Sequence, residues 1–147
     1  KVKIPPEFLT RLRKALIDDN GRDKDVLKDF QAFAAYQKNG LNCKISFCTK
    51  LMSPVSSWAQ QLCKSNMEKI YDDSGYGWCD LDKEDELMNH GGAARFLIAH
   101  DLTESRPIGF VHFRLPLQGE AVGVQGGEPA LYIMVCQLEP AAQRKWL

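Results

Sequence analysis

Leu131-Tyr132-Ile133-Met134-Val135-Cys136-Gln137-Leu138-Glu139, closed by Pro140, is the most strand-like stretch of this sequence. Six apolar side chains in succession leave no polar face for solvent. Leu131 to Cys136 therefore predicts a strand covered on both faces, in the middle of a sheet. The strand is expected to run from Ala130 to Glu139, because Pro140 has no N–H to continue a ladder. Ala141 to Leu147 then reads as a turn entering a helix. Upstream, Arg95 to His100 and Pro107 to Leu115 predict two strands joined by a tight connection. Pro116 to Pro129 holds four glycines and reads as a long loop before the apolar run.

Further out, the period changes. Ser53-Pro54 predicts a helix start, and Trp58, Leu62 and Ile70 line one side of a helix to about Tyr71. Asp72-Asp73-Ser74-Gly75-Tyr76-Gly77-Trp78 cannot continue it and predicts a loop with aromatics on show. Residues 80 to 89 predict a short acidic helix. Cys43, Ile45, Phe47 and Thr49 alternate with polar or small neighbours, so 42 to 50 predicts a strand. Two amphipathic stretches come first, residues 5 to 19 and about 23 to 38. The second carries Val26, Leu27, Phe30, Phe33 and Ala34, and Asn39-Gly40 is expected to end it. The fold class is α+β with an antiparallel meander. An N-terminal helical segment, 1–40, precedes a sheet-bearing domain, 41–147.

Composition narrows the function. The chain has 147 residues with 19 basic and 19 acidic side chains, and this balance gives no support to a general nucleic-acid or anionic-membrane binder. No apolar run approaches the roughly 20 residues that span a bilayer. The five cysteines, Cys43, Cys48, Cys63, Cys79 and Cys136, form no C-x-x-C pair and are odd in number. They read as reduced thiols of a cytosolic or nuclear protein, with no metal site. Lys1 opens without an initiator Met and Trp146-Leu147 comes soon after a strand, so both ends read as cut.

The apolar strand and the turn after it resemble the GNAT acetyltransferases. Those enzymes carry a central strand and then a loop of pattern R/Q-x-x-G-x-G/A that opens a helix and holds the acetyl-CoA pyrophosphate. Gln143 matches the first position, Trp146 stands at the first glycine, and the second glycine position falls after Leu147. Lys38-Asn39-Gly40-Leu41, Asn66-Met67, Tyr71, Ser74, Gly77-Trp78, Phe110-Val111-His112-Phe113-Arg114, Leu131-Tyr132 and Gln137-Leu138-Glu139 are dispersed motifs. Together they are similar to one subfamily, the histone-specific N-terminal acetyltransferases (NatD family). In that family the aromatic loop reads Y-x-x-S-x-W-G-W, with Tyr76 here in place of the first Trp.

The resemblance implies a partial GNAT fold whose sheet ends at the central cofactor strand. It also implies transfer of acetyl from acetyl-CoA to the free α-amine of histone H4 and H2-type histone tails, which begin Ser-Gly-Arg-Gly. Partners would be histone N-terminal tails, with no direct nucleic acid and no membrane, in nucleus and cytoplasm. By the same resemblance Tyr71, Tyr76, Trp78 and Met134 bind the peptide. Cys136, Gln137 and Leu138 contact the pantetheine arm, and Arg144, Lys145, Trp146 and Leu147 begin the pyrophosphate loop. The family's proposed base, a glutamate, is Val135 here, and its second tyrosine is Met134. An acidic position that helps hold the basic peptide is Pro116. The chain is therefore expected to be inactive or nearly so, either as a pseudo-enzyme or through a misread exon boundary. The alternative is a non-catalytic remnant that binds a peptide or partner. The sequence sets no oligomeric state.

Plainer readings stand beside these. Trp and Tyr often serve as half-buried anchors. His112 reads as a hydrogen-bonded packing residue, and His90 and His100 suggest no triad. The acidic run from Asp80 to Glu86 reads as a solvated helix face. Glu139 can replace the missing base only if no bulge turns it away from the face of Val135.

Overall fold

The computed structural model describes residues 7, 10, 14, 16–18, 20–88, 94–114 and 131–145. Its described elements are a 3₁₀ helix (Val26–Phe33), two α-helices and five strands: β1 (Ala35–Lys38), β2 (Leu41–Cys48), α1 (Val55–Asp73), α2 (Asp80–Leu87), β3 (Ala94–Asp101), β4 (Arg106–Arg114) and β5 (Tyr132–Leu138). The strands form one sheet in the order β1-β2-β3-β4-β5, each antiparallel to its neighbour. The α+β expectation is thus met. Of the helix expected over 5–19, the described positions Glu7, Thr10, Lys14 and Leu16 are helical, Ile17 and Asp18 are not, Ile17 bridging instead to Asp23, and the other positions lie outside the described residues. So does the loop expected over 116–129. No helix among the described residues is long and apolar enough to cross a membrane.

Two expectations are corrected. The helix expected over 23–38 stops at Phe33, with non-helical backbone at Phe30, and the chain then enters β1. Asn39 and Gly40 both take positive φ, 53° and 76°, which is the geometry of a two-residue hairpin turn. Asn-Gly here pairs Lys38 with Leu41 and Tyr36 with Cys43. Residue 40, the expected end of a helical segment, lies inside a hairpin. The apolar stripe also fails, since Phe33 is 71% exposed while Leu27 is buried.

The second correction concerns β5. Expected in the middle and covered on both faces, it lies at the edge of the sheet among the described residues, paired only with β4. Ile133 is 59% exposed, and Tyr132 and Cys136 are also exposed. Only Val135 of this strand is buried. An unbroken apolar run is compatible with burial on both faces but does not impose it, because a neighbouring strand has to supply the cover.

One face of the sheet holds the main core. Leu62, Cys63 and Ala59 of α1 and Leu87 of α2 pack on Phe96 and Ile98 of β3, Phe110 of β4 and Val135 of β5. Apolar residues recurring at helical spacing along α1 explain this contact. Ile70, expected on the same side, is instead exposed. The opposite face is partly filled by Leu41, Cys43, Ala99, Ile108 and Ala142. Ala142 belongs to the turn after β5. That turn crosses the sheet end, where the Tyr36 hydroxyl and Asn39 Nδ2 both donate to the Lys145 carbonyl at 2.9 Å. Between these contacts an apolar groove of about 260 Å³ opens over Ile45, Leu97, Val111, Cys136 and Leu138.

Candidate functional site

The C-terminal turn of α1 presents the aromatic loop. Gly75 and Gly77 take φ of 79° and 74°, which an L side chain rarely adopts, and they bracket Tyr76. The loop folds back on the helix end: Gly77 N–H donates to the Tyr71 carbonyl at 3.1 Å, and Trp78 N–H donates to Asp72 Oδ1 at 3.0 Å. Tyr71, Tyr76 and Trp78 consequently meet. Tyr71 lies edge-on to Tyr76 at 6.4 Å and to Trp78 at 5.5 Å between ring centroids. Edge-to-face contacts of this kind suit the ring quadrupoles. Tyr76 is 89% exposed, so one wall of the cluster faces solvent.

A cation already touches this cluster. Lys83 Nζ lies 5.7 Å from the Tyr71 ring centroid and 5.9 Å from that of Trp78. It pairs with Glu86 at 2.7 Å. Burial, the largest single influence, pulls the ammonium pKa down, but Glu86, Tyr71 and Cys63 together push it up, and the pKa ends raised. Outside, α2 adds Asp80, Asp82, Glu84 and Asp85. Hydrogen bonds from Lys64 and the Trp78 indole hold the Asp80 carboxyl below its ordinary range. The aromatic cluster thus borders an acidic helix.

β5 lies beside α1. Asn66 Nδ2 donates to Gln137 Oε1 at 2.8 Å and to the Leu138 carbonyl at 3.1 Å, and Gln143 Nε2 donates to the same carbonyl at 3.1 Å. The Leu138 carbonyl therefore faces away from β4. By strand alternation, the backbone groups of Cys136 face the same open edge. The register slips between His112 and Phe113, because His112 pairs with Val135 while Phe113 pairs with Ile133. Met134 is the extra residue of this bulge, and it packs against the main core with Trp78.

The sequence-predicted residues fall into groups. Tyr71, Tyr76 and Trp78 form one cluster. Met134 reaches the same core as Trp78. Cys136, Gln137 and Leu138 line the edge of β5. Arg144 and Lys145 are exposed in and after the turn, Arg144 with φ of 62°. Residues 140–144 are turn rather than helix, and Trp146 and Leu147 lie outside the described residues. Val135, Gln137 and Glu139 share a face, because the bulge falls before them. Glu139 is nevertheless engaged, its Oε1 accepting from the Trp58 indole at 2.8 Å. A cavity of about 350 Å³ between Ser56, Gln60, Glu84 and Met88 contains none of these residues.

Two residues take roles that the sequence pattern does not show. Lys83 falls in a run that reads as solvated, yet it is buried. Its position three residues before Glu86 is the signal that could have found it. His112 is the other. It is fully buried and stacks on Phe96 at 4.6 Å, but neither ring nitrogen has a hydrogen-bond partner among the described residues. The packing expectation is met and its hydrogen-bonding half is not. Burial, then Arg114 and Lys83, push its pKa down to about 4. No protein-family model matches the sequence.

Proposed function

We propose that this chain is an acetyltransferase-type domain that recognises the free amino terminus of a basic peptide, with acetyl-CoA as the acetyl donor and little turnover. The substrate class is a histone tail beginning Ser-Gly-Arg-Gly, as the NatD resemblance implies. The meeting of Tyr71, Tyr76 and Trp78 beside the acidic α2 carries this reading. A narrow aromatic wall admits small first residues and rejects bulk. The carboxylates of α2 favour the arginine that comes after them. The open edge of β5 at Cys136 offers backbone donors and acceptors of the kind an extended pantetheine arm takes up.

Acetyl transfer requires the α-ammonium to lose a proton before its nitrogen attacks the thioester carbon. An α-amine titrates near pH 8, so a base of matched pKa accelerates the step. Val135, at the family's base position, is apolar and buried, and Glu139 is bound to Trp58. Loss of a general base costs about 10²–10⁴-fold. The intact chain, assayed with acetyl-CoA and a Ser-Gly-Arg-Gly peptide, should give transfer at most a hundredth as fast as a NatD enzyme. Trp78→Ala should weaken peptide binding at least tenfold. Peptide binding unchanged by that substitution would contradict the reading.

A second reading, favoured by the buried apolar Val135, is a non-catalytic module that holds the peptide through the same aromatics. Peptide binding with no transfer at all, even at high enzyme concentration, would select it.

A further inference from the structure

The start of α1, the end of α2 and the loop before α1 surround the cavity of about 350 Å³ that the aromatic cluster does not use. Ligand pockets commonly span about 300–1,000 Å³, so this one suits a small molecule. Its apolar part is firm. Leu51 and Leu87 are each 7% exposed and belong to the main core. Met88, partly exposed, adds a thioether beside them. The polar part comes from Lys50, Ser56, Ser57, Gln60 and Glu84. Gln60 Nε2 donates to the Asp80 carbonyl at 3.2 Å, which leaves the amide oxygen to accept. Lys50 comes from the loop and Glu84 from α2, and neither makes an ion pair among the described residues. The neighbouring charges do pair, Lys83 with Glu86 and Lys64 with Asp80, so Glu84 is left over on its helix face. The first turn of α1 carries no acidic side chain and no side-chain cap, so nothing there opposes the positive end of that 19-residue helix.

The cavity therefore joins one cation, one carboxylate and an apolar floor, with hydroxyls and an amide between them. We propose that it binds a small α-amino acid as the zwitterion, one with an unbranched apolar side chain. The ligand carboxylate meets Lys50 and the hydroxyls of Ser56 and Ser57 at the positive end of α1. Its ammonium meets Glu84 and the Gln60 amide oxygen. Hydrogen bonds to ionised groups of this kind are the stronger ones. The side chain covers Leu51 and Leu87 and gains by leaving water. A ligand with a single charge leaves Lys50 or Glu84 unanswered, and one without an apolar part leaves the floor wet. The inference is independent of the acetyltransferase reading. Trp78 precedes α2 and the cavity adjoins its far end, and eight helical residues separate the two by about 12 Å.

The test is a titration of the intact chain with L-methionine, followed through its backbone amide resonances. Saturable shifts are expected at Lys50, Ser57 and Glu84. N-acetyl-L-methionine lacks the ammonium, L-methionine amide lacks the carboxylate and glycine lacks the side chain. Each should bind at least tenfold more weakly than L-methionine. Lys50→Met and Glu84→Gln should each weaken L-methionine about tenfold, the usual effect of losing a hydrogen bond to a charged group. Neither should move the melting temperature by more than a few degrees, because neither side chain holds an ion pair in the fold. Trp78→Ala should leave L-methionine binding unchanged, which separates this site from peptide recognition by the aromatic cluster. The proposal is overturned if no saturable shift appears at the cavity residues up to the solubility limit of L-methionine. It is equally overturned if the capped probes bind as well as L-methionine, or if the shifts are confined to Tyr71, Tyr76 and Trp78.

Discussion

His112 makes the stability of this fold depend on pH. Its ring is buried between Phe96 and Val135, and its pKa falls to about 4 from an ordinary 6.5. The unfolded chain therefore takes up a proton on this residue first as pH drops. Between about 6.5 and 4 the unfolded state binds more protons than the folded one, so stability declines through that window. Below 4 both states are protonated and this contribution is fully lost. The total is on the order of 3 kcal/mol. Urea unfolding at pH 7 and pH 4.5 should show the loss, and His112→Phe should remove most of it. An unchanged acid limb in that variant would show that carboxylates alone govern it. The neighbouring Cys63 thiol, raised to about 11, remains protonated throughout this range.

Among the elements, β4 and β5 depend on one small residue. A Cβ at Gly109 would lie 2.3 Å from Leu138 Cδ2 and 3.0 Å from the Gln137 carbonyl oxygen. Leu138 can swing toward the apolar groove, but the carbonyl belongs to the strand and cannot. Gly109→Ala should therefore cost about 1–3 kcal/mol by denaturant unfolding. A neutral effect would mean that β5 is loosely held. Most elements of this sheet are legible in the sequence. The alternation of Cys43, Ile45 and Phe47 locates β2, and the apolar spacing of Trp58 and Leu62 locates α1. The segment from Ala34 to Lys38 reads as helix because Asn39-Gly40 suits a helix stop as well as the hairpin turn that it forms. What separates the two outcomes is the strand that receives the returning chain. The aromatic loop is legible, since two glycines within three residues cannot continue a helix. Lys83 under those rings is not, because burial of a charge depends on a partner held by tertiary packing.

For the whole molecule, the sheet has two unlike edges. β1 is a four-residue strand carrying Gln37 and Lys38, the kind of edge that resists further pairing. β5 is longer, and its Tyr132 and Ile133, with Leu131 just before it, are all exposed. Nothing among the described residues pairs with its outer side. The same edge that would take up an extended cofactor arm can also pair with another strand. The chain should accordingly self-associate with rising concentration, and Ile133→Lys should suppress this without lowering the melting temperature by more than a few degrees. Sedimentation velocity over a hundredfold concentration range checks it. Identical association in Ile133→Lys would locate the contact elsewhere.

The site and the fold meet at the end of α1, where the helix that covers Val135 also turns out Tyr71, Tyr76 and Trp78. The most direct measurement is calorimetric titration of a Ser-Gly-Arg-Gly peptide into the intact chain, with the same peptide acetylated at its amino terminus as the reference. The expected result is one site with micromolar affinity for the free amine and at least tenfold weaker binding for the acetylated form. No heat from either peptide, or equal affinity for both, would contradict recognition of a free amino terminus by the aromatic cluster.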